Sequence, residues 1–188
     1  MSNDVSREMK DRIILDLCGG TGAWSRPYKD AGYDVRLVTL PEHDVRLYRP
    51  PNRVHGVLAA PPCTDLASSG ARWWKKKGLT ALLDALSVVD ACLRIVHVTQ
   101  PTWWAMENPV GRLSRFIGSP RMWFDPCDFG DPYTKKTGLW GSFADLTLSP
   151  VPATQGSKFH TMSKCANRAA IRSVTPPGFA EAFFKANP

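Results

Sequence analysis

The sequence lacks the cysteine pattern and the apolar segments of secreted and membrane proteins. Its five cysteines are an odd number in 188 residues, and no two of them form a Cys-x-x-Cys pair. A disulfide framework and a zinc cluster are therefore not expected, and we predict reduced thiols and no metal site. The polar amino terminus has no signal-peptide core. No apolar run approaches the ~20 residues that span a bilayer, so we expect a cytoplasmic protein with no membrane partner.

The chain also lacks internal repeats and low-complexity tracts. A length of 188 residues suits one domain, and we expect residues 1–188 to form a single unit. Lysine and arginine number 24 against 17 acidic residues, which gives a formal net charge of +7. A basic chain favours polyanionic partners, although many basic proteins bind no nucleic acid.

Short apolar runs alternate with helical patterns along the chain. Strands are predicted at residues 13–17, 33–40, 54–60, 102–108 and 138–143, with a further short strand at 45–47. Helices are predicted at residues 22–32, 80–98 and 175–187, a loop at 68–77 and an irregular stretch at 149–172. This alternation predicts an α/β fold with a mostly parallel sheet and helices on both faces. Ligands of such sheets bind beyond the carboxyl ends of the strands, where Asp16, Gly20, Cys63 and Glu107 are expected.

The string "DLCGGTGAWS", residues 16–25, places an acid and three glycines after the first strand. Glycines at a strand-to-helix turn let the backbone approach a ligand closely. The string is not the full Gly-x-Gly-x-x-Gly pattern, and it lacks the lysine of a phosphate-binding P-loop. It favours an adenosine-type ligand, and a plain strand-to-helix turn is the alternative.

The string "AAPPCT", residues 59–64, holds a cysteine rigidly after a strand, because two prolines restrict the backbone. Enzymes that methylate exocyclic amines carry a polar residue, two prolines and an aromatic ring at such a position. Here Ala60 stands at the polar position and Cys63 at the ring position. A thiol cannot stack on a base, but it can attack one. A small buried cysteine is the alternative.

Two further strings bear on chemistry. "AMENP", residues 105–109, ends a strand with a carboxyl, and a buried carboxyl with a raised pKa can donate a proton. Its alternative is an ordinary Asn-Pro turn.

"RWWKKK", residues 72–77, could hold phosphates with its charges and stack bases on its rings. Its alternative is a solvated basic loop whose tryptophans pack on the core.

Taken in order, these strings resemble the cytosine-C5 DNA methyltransferase family. Residues 16–22 look like the S-adenosylmethionine-binding loop of that family, Pro61-Pro62-Cys63 like its nucleophile motif and Glu107-Asn108 like its Glu-Asn motif. "CDFGDPYTKKTGLWG", residues 127–141, is similar to its Gln-x-Arg-x-Arg segment, and "RSVTPPGF", residues 172–179, to its Arg-x-x-Thr-Pro stretch. The chain looks closest to short, phage-encoded members, which implies a bacterial host cell.

The resemblance implies a class I methyltransferase fold, which is Rossmann-like, and roles for individual residues. The implied catalytic residues are Cys63, Glu107 and Lys135. The implied cofactor-binding residues are Asp16, Cys18, Gly20, Gly22, Asp44 and Pro61. The implied nucleic-acid-binding residues are Ser68, Arg72, Trp73, Lys75, Lys76 and Lys77.

The chain departs from the family pattern at several points. Only Lys135 keeps a charge at an arginine position of the Gln-x-Arg-x-Arg segment, and Thr137 replaces the second arginine. The large target-recognition domain is absent, and at most residues 149–170 occupy its place. A partner protein that supplies recognition is therefore conceivable. We predict C5 methylation of cytosine in duplex or single-stranded DNA, with S-adenosylmethionine as cofactor. RNA or a free pyrimidine nucleotide is the alternative substrate, and a non-catalytic basic nucleic-acid-binding protein is the alternative function.

Overall fold

The structure, a computed structural model, describes residues 11–157 and 168–188. Within them the strands are β1 (Ile13–Leu17), β2 (Asp34–Val38), β3 (Gly56–Ala59), β4 (Trp103–Pro109), β5 (Met122–Phe124) and β6 (Thr137–Ser142). The helices are α1 (Arg26–Asp30), α2 (Ala71–Thr99), α3 (Ser114–Ile117), α4 (Arg168–Ser173) and α5 (Pro177–Ala186). Short 3₁₀ turns form at Ser68–Gly70 and Pro126–Phe129.

One sheet joins the strands in the order β2-β1-β3-β4-β6-β5. β1 pairs in parallel with β2 and β3, and β3 pairs in parallel with β4. β6 runs antiparallel to both β4 and β5. The prediction of an α/β fold with a mostly parallel sheet is confirmed, and the antiparallel edge is an addition to it.

The strand order reverses at β1. The chain passes from β1 outward to β2 and then returns across β1 to β3 on its other side. In doubly wound sheets, ligands bind in the crevice at the carboxyl ends of the two strands that flank such a reversal. The ends of β1 and β3 therefore mark the place for a ligand site.

Helices cover both faces of the sheet, because alternate residues of each strand point to opposite faces. Leu15 and Leu17 of β1 pack in one fully buried cluster with Ile95 of α2. Ile14, between them, packs in a second cluster with Phe183 of α5. By the same alternation Asp16 points to the second face, where it is completely buried.

The second face is rich in aromatic rings, and it holds the carboxyl-terminal helix in place. Phe179 of α5 stacks on Phe124 with ring centroids 4.2 Å apart. The Tyr28 hydroxyl donates a hydrogen bond of 2.7 Å to the carbonyl oxygen of Asn187. Helix α5 therefore ends against α1, and its first turn is fixed near the carboxyl edge of the sheet.

Several local predictions are wrong. Residues 45–47 form a turn and no strand, because Asp44 accepts hydrogen bonds from the backbone and side chain of Arg46 and so closes the chain locally. The helix predicted over residues 22–32 is confined to α1. Helix α4 lies inside the stretch predicted to be irregular, whose residues 158–167, with Cys165, are outside the described part.

The loop predicted at residues 68–77 is also wrong. After the 3₁₀ turn, residues 71–77 are helical and run into α2, with a break at Gly78, whose φ is +71°. The side chains of this segment are mostly exposed lysines and tryptophan. The segment therefore lacks the regular spacing of apolar residues that predicts a helix with a buried face. The basic segment is therefore a short helix at the start of α2, separated from the rest of α2 by a kink at Gly78.

Candidate active site

Cys63 is held by a hydrogen-bonded turn at the carboxyl end of β3. The side-chain amide of Asn108 donates to the carbonyl oxygen of Pro61 at 2.9 Å. The backbone N–H groups of Leu66 and Ala67 donate to the Cys63 carbonyl oxygen at 3.0 and 2.8 Å. The two prolines and these bonds fix the backbone that carries the thiol, which is partly buried.

Glu107 lies beside this turn. In the parallel pairing of β3 with β4, Ala59 is opposite Met106, so Glu107 follows the last paired residue. Its Oε2 atom is buried and has no hydrogen-bond partner within residues 11–157 and 168–188. Burial raises the pKa of Glu107, and the nearby charge of Lys135 opposes that rise. A protonated Glu107 could therefore donate a hydrogen bond to a ligand.

The thiol of Cys63 is close enough to three charged groups to respond to them. Burial raises the pKa of Cys63, and the negative charge of Glu107 raises it further. The positive charges of Lys135 and Arg172 lower it. A carboxyl, two cations and a thiol thus share one small region, and the protonation of each depends on the others.

Lys135 is positioned by contacts on three sides. Its backbone N–H donates to Asp125 at 2.8 Å, and its ammonium group donates to the carbonyl oxygen of Arg172 at 3.0 Å. The hydroxyl of Thr137 donates to the Lys135 carbonyl oxygen at 2.7 Å. Lys135 and Glu107 line the same small cavity. The predicted catalytic residues Cys63, Glu107 and Lys135 are therefore brought together.

The predicted cofactor loop begins at Asp16, whose Oδ2 accepts a hydrogen bond of 2.5 Å from the Ser25 hydroxyl. Burial raises the pKa of Asp16 to about 6, and the bonds from Ser25 limit the rise. Oδ1 of Asp16 is buried with no partner in the described residues. The backbone of Gly19 passes so close to this carboxyl that a Cβ would overlap it. The buried Asp16 carboxyl therefore packs against the Gly19 backbone and supports the loop from the interior of the protein.

The loop backbone faces open space above this support. Cys18, Gly20 and Gly22 adopt positive φ angles of 58°, 55° and 70°. A Cβ added at Gly20 would meet no atom within 4 Å. A ligand can thus approach the backbone of Gly20 directly, at the strand reversal where ligands of doubly wound sheets bind.

Asp44, another predicted cofactor residue, lies near this loop. A hydrogen bond from Cys92 lowers the pKa of Cys18, and burial raises it. The charges of Asp16 and Asp44 also raise the pKa of Cys18, so Asp44 must be close to this thiol. The Asp44 carboxylate is paired with Arg46 at 2.6 Å. Its role as an adenine ligand stays a prediction, and a bound adenine would have to share the carboxylate with that guanidinium.

No protein-family model matches the chain, and no curated protein matches it. A solved structure from E. coli, described as a candidate DNA modification methyltransferase encoded within a prophage, is similar to it with a TM-score of 0.46 and 17% identity. The alignment covers 75% of this chain and 53% of that one, so this chain spans about half the length of the solved structure. At that identity and TM-score the likeness carries no argument about activity, which therefore rests on the residues.

The predicted nucleic-acid residues occupy the basic helix at residues 71–77 and the turn before it. Trp73 is 48% exposed, with the Arg72 guanidinium 5.3 Å from its ring centroid. Lys75 and Lys76 are exposed, whereas Lys77 forms an ion pair of 2.6 Å with Asp65. The Ser68 hydroxyl donates to the carbonyl oxygen of Val110 at 2.8 Å. Of this set, Trp73, Lys75 and Lys76 are the groups most available to a ligand.

Replacement of Lys75 and Lys76 by alanine should weaken nucleic-acid binding and reduce its dependence on salt. Each lysine that contacts a phosphate releases about one counterion, so the slope of log K against log salt should fall by about 1.4 to 1.8 for the pair. Equilibrium binding to labelled DNA at several salt concentrations measures this slope. The double replacement of the exposed Lys29 and Lys185 is the matched control. An unchanged slope would make the basic helix an ordinary solvated surface.

The buried Asp16 should make stability depend on pH. Its folded-state pKa of about 6 lies above the 3.8 of an unperturbed aspartate. Its favourable contribution is therefore complete below the unfolded pKa and lost as the pH rises to about 6. We expect the unfolding free energy of the wild type, relative to Asp16→Asn, to fall by about 3 kcal/mol over that range. Denaturant titrations measure it, with the surface variant Asp30→Asn as control. A constant difference would contradict the assignment.

Sequence reasoning missed two residues that the fold brings to the region of Cys63. Arg172 belongs to the Arg-x-x-Thr-Pro stretch but was given no role, although it lies near Cys63. Arg112 stacks 4.4 Å from the Trp74 ring centroid and donates to the carbonyl oxygen of Asp65. These residues lie far from Cys63 in the sequence, and for Arg172 the motif was the one available signal.

Proposed function

We propose that this protein transfers a methyl group from S-adenosylmethionine to carbon 5 of cytosine in DNA. The observation that carries the proposal is the meeting of Cys63 and Glu107 at the ends of two adjacent strands. Cytosine C5 methylation needs a nucleophile and a proton donor on the same ring. A thiol and a carboxyl with a raised pKa meet that need.

Cys63 supplies the nucleophile. Carbon 5 of cytosine is itself a poor nucleophile, but addition of the cysteine sulfur at carbon 6 breaks the 5,6 double bond and makes carbon 5 electron-rich. Glu107 donates a hydrogen bond or a proton to N3 and so offsets the charge that develops as the sulfur adds. After methylation, the proton on carbon 5 passes to water, the electron pair of its bond re-forms the 5,6 double bond, and the carbon–sulfur bond breaks with its electron pair on sulfur. Cys63 is released unchanged.

The free thiol needs activation, because burial and Glu107 both raise its pKa. A proton on Glu107 removes one of these two effects. The positive charges of Lys135 and Arg172 favour the thiolate. Binding of the base, with Glu107 protonated against N3, would therefore also promote formation of the nucleophile.

The residues around Cys63 disfavour methylation of an exocyclic amine. That reaction needs a polar group to accept the amine hydrogen bond and a ring to stack the base. Ala60 has no polar side-chain atom, and Cys63 has no ring. The covalent route to carbon 5 uses the side chain that is present.

The loop at residues 16–22 has the features that S-adenosylmethionine needs. The open space at Gly20 allows a ligand to approach the backbone closely, and Asp16 supports the loop from the interior of the protein. Asp44, in the turn segment that follows β2, and Pro61, just beyond β3, would border the same site. When bound there, S-adenosylmethionine supplies an activated methyl group on its sulfonium sulfur.

The target base must leave the base stack to reach a partly buried thiol. The basic helix at residues 71–77 follows the Cys63 turn and presents Lys75, Lys76 and the exposed ring of Trp73. Its charges would hold the phosphate backbone beside the site, and its ring would stack on an exposed base.

Formation of S-adenosylhomocysteine from S-adenosylmethionine, with DNA, RNA or cytidine nucleotides as the second substrate, tests this proposal. We expect product with DNA and none with Cys63→Ala. Thermal denaturation with S-adenosylhomocysteine checks cofactor binding separately, since a ligand of the native state raises the melting temperature. Binding without product on any substrate would contradict catalysis and favour a non-catalytic binding protein. Product with RNA or nucleotides alone would change the substrate.

A further inference from the structure

We propose that the recess beside Glu107, lined by Ser68, Ser69, Lys136 and Arg172, binds a phosphate group of the nucleotide whose base occupies the Cys63 site. The proposal rests on the function proposed above, because it requires a nucleotide base against Glu107. It assigns an anion site to Lys136 and Arg172, which lie outside the basic helix.

The recess has a volume of about 350 Å³, and Ala67 and Ser68, from the turn that follows Cys63, form part of its wall. Lys135 lines both this recess and the small cavity that contains Glu107. Pro109 and Val110, which follow Glu107 along the chain, form part of its wall. The small cavity has a volume of only about 10 Å³, so a base set against Cys63 and Glu107 must lie outside it. Lys135 and Arg172 are close to Cys63 and also line the recess, so the sugar and phosphate of that nucleotide would lie next to the recess.

The charges around the recess favour an anion. Three cations, Lys135, Lys136 and Arg172, line it with one carboxylate, Asp125. Asp125 lies 3.6 Å from the Lys136 ammonium group and accepts a bond from the Lys135 backbone, so it offsets part of this charge. The excess of positive charge over a polar recess is the chemistry that holds phosphate.

Arg172 is the strongest candidate for direct contact. Its side chain is half-buried, and none of the ion pairs within residues 11–157 and 168–188 involves it. Its carbonyl oxygen accepts a hydrogen bond from the Lys135 ammonium group, and Arg172 lines the recess together with Lys135. A guanidinium can hold two phosphate oxygens at once, which gives orientation as well as affinity.

Two serines, Ser68 and Ser69, from the turn after Cys63 line the recess. Ser69 is exposed there, and Ser68 is fixed by bonds from its backbone and side chain to Val110. The Ser69 hydroxyl can donate to a remaining phosphate oxygen, whereas the hydroxyl hydrogen of Ser68 is already given to Val110.

Calorimetric titration of the full chain with 2′-deoxycytidine and with its 5′-monophosphate tests the site directly. The monophosphate should bind at least about tenfold more tightly, as expected for a charge-assisted contact to phosphate. Arg172→Ala should lose most of that difference, and Arg172→Lys should keep part of it. Arg53→Ala, an exposed arginine at the opposite edge of the sheet, is the matched control. Melting temperatures confirm that each variant is folded.

A second arm uses a short single-stranded DNA with one cytosine, because a phosphate monoester and a strand diester carry the same chemistry. Loss of strand affinity in Arg172→Ala without any effect on the monophosphate would identify the diester as the ligand. Unchanged binding of both probes in Arg172→Ala would overturn the site. These titrations contain no methyl donor, so a protein that binds both probes but forms no S-adenosylhomocysteine would keep the phosphate site and reject the proposed reaction.

Discussion

Wild-type protein should be trapped covalently on DNA that contains 5-fluorocytosine when S-adenosylmethionine is present, and Cys63→Ala should form no adduct. The adduct on ordinary cytosine resolves after methylation, because carbon 5 loses its proton and the sulfur is then eliminated. Fluorine cannot leave carbon 5 as a cation, so the adduct persists through denaturation. Alanine offers no nucleophile, which makes the expected loss complete.

Denaturing electrophoresis detects the adduct, and peptide mapping locates it. Cys127→Ala is the matched control, since Cys127 is a second free, partly exposed cysteine. It should be trapped as the wild type is. Attachment at Cys18 or Cys127 would reject Cys63 as the nucleophile. Turnover of ordinary cytosine without trapping would mean that methyl transfer follows another route.

Glu107→Gln should lower methylation by about 10² to 10⁴-fold, the usual contribution of a positioned acid or base. Cofactor and DNA affinity should stay close to wild type, because the carboxyl acts on the reacting ring. The same variant should alkylate faster at Cys63. Removal of the carboxylate removes a charge that raises the pKa of the thiol, so more thiolate is present at a given pH.

This pair of opposite effects separates a chemical role from a structural one. A variant that had merely lost its fold would show faster alkylation at all cysteines and weaker cofactor binding. Iodoacetamide labelling with mass spectrometry measures Cys63 alone, across a range of pH. Glu181→Gln, on the exposed side of α5, is the matched control. Near-wild-type methylation by Glu107→Gln would reject the assigned role.

The regular part of the fold was predictable, because buried strands and one buried helix face leave strong patterns. The apolar runs at residues 13–17 and 102–108 correspond to β1 and β4. The leucine and valine spacing corresponds to the part of α2 that packs on the sheet. The helix at residues 71–77 was not predictable in the same way, since its side chains are exposed and it has no apolar face that packs on the core.

The antiparallel edge was beyond the sequence patterns for a different reason. β5 has three residues, which is too short for a clear alternation. The strand predicted at residues 138–143 corresponds to β6, but no local pattern indicates its antiparallel direction or its partners. Their pairing with β4 is decided by contacts between distant segments. Those contacts put Lys135, just ahead of β6, beside Glu107.

The sequence by itself determined the α/β class, the glycine-rich turn after β1 and the rigid placement of Cys63 behind two prolines, because these depend on local backbone preferences and on short-range hydrophobic patterns. Only the tertiary structure decided which distant groups share the site. The parallel register of β3 and β4 sets Glu107 beside Cys63, and the turn into β6 adds Lys135. Helix α4 adds Arg172 from the far end of the chain. Electrostatic effects on the thiol depend on distance in space, and no spacing along the sequence encodes that distance.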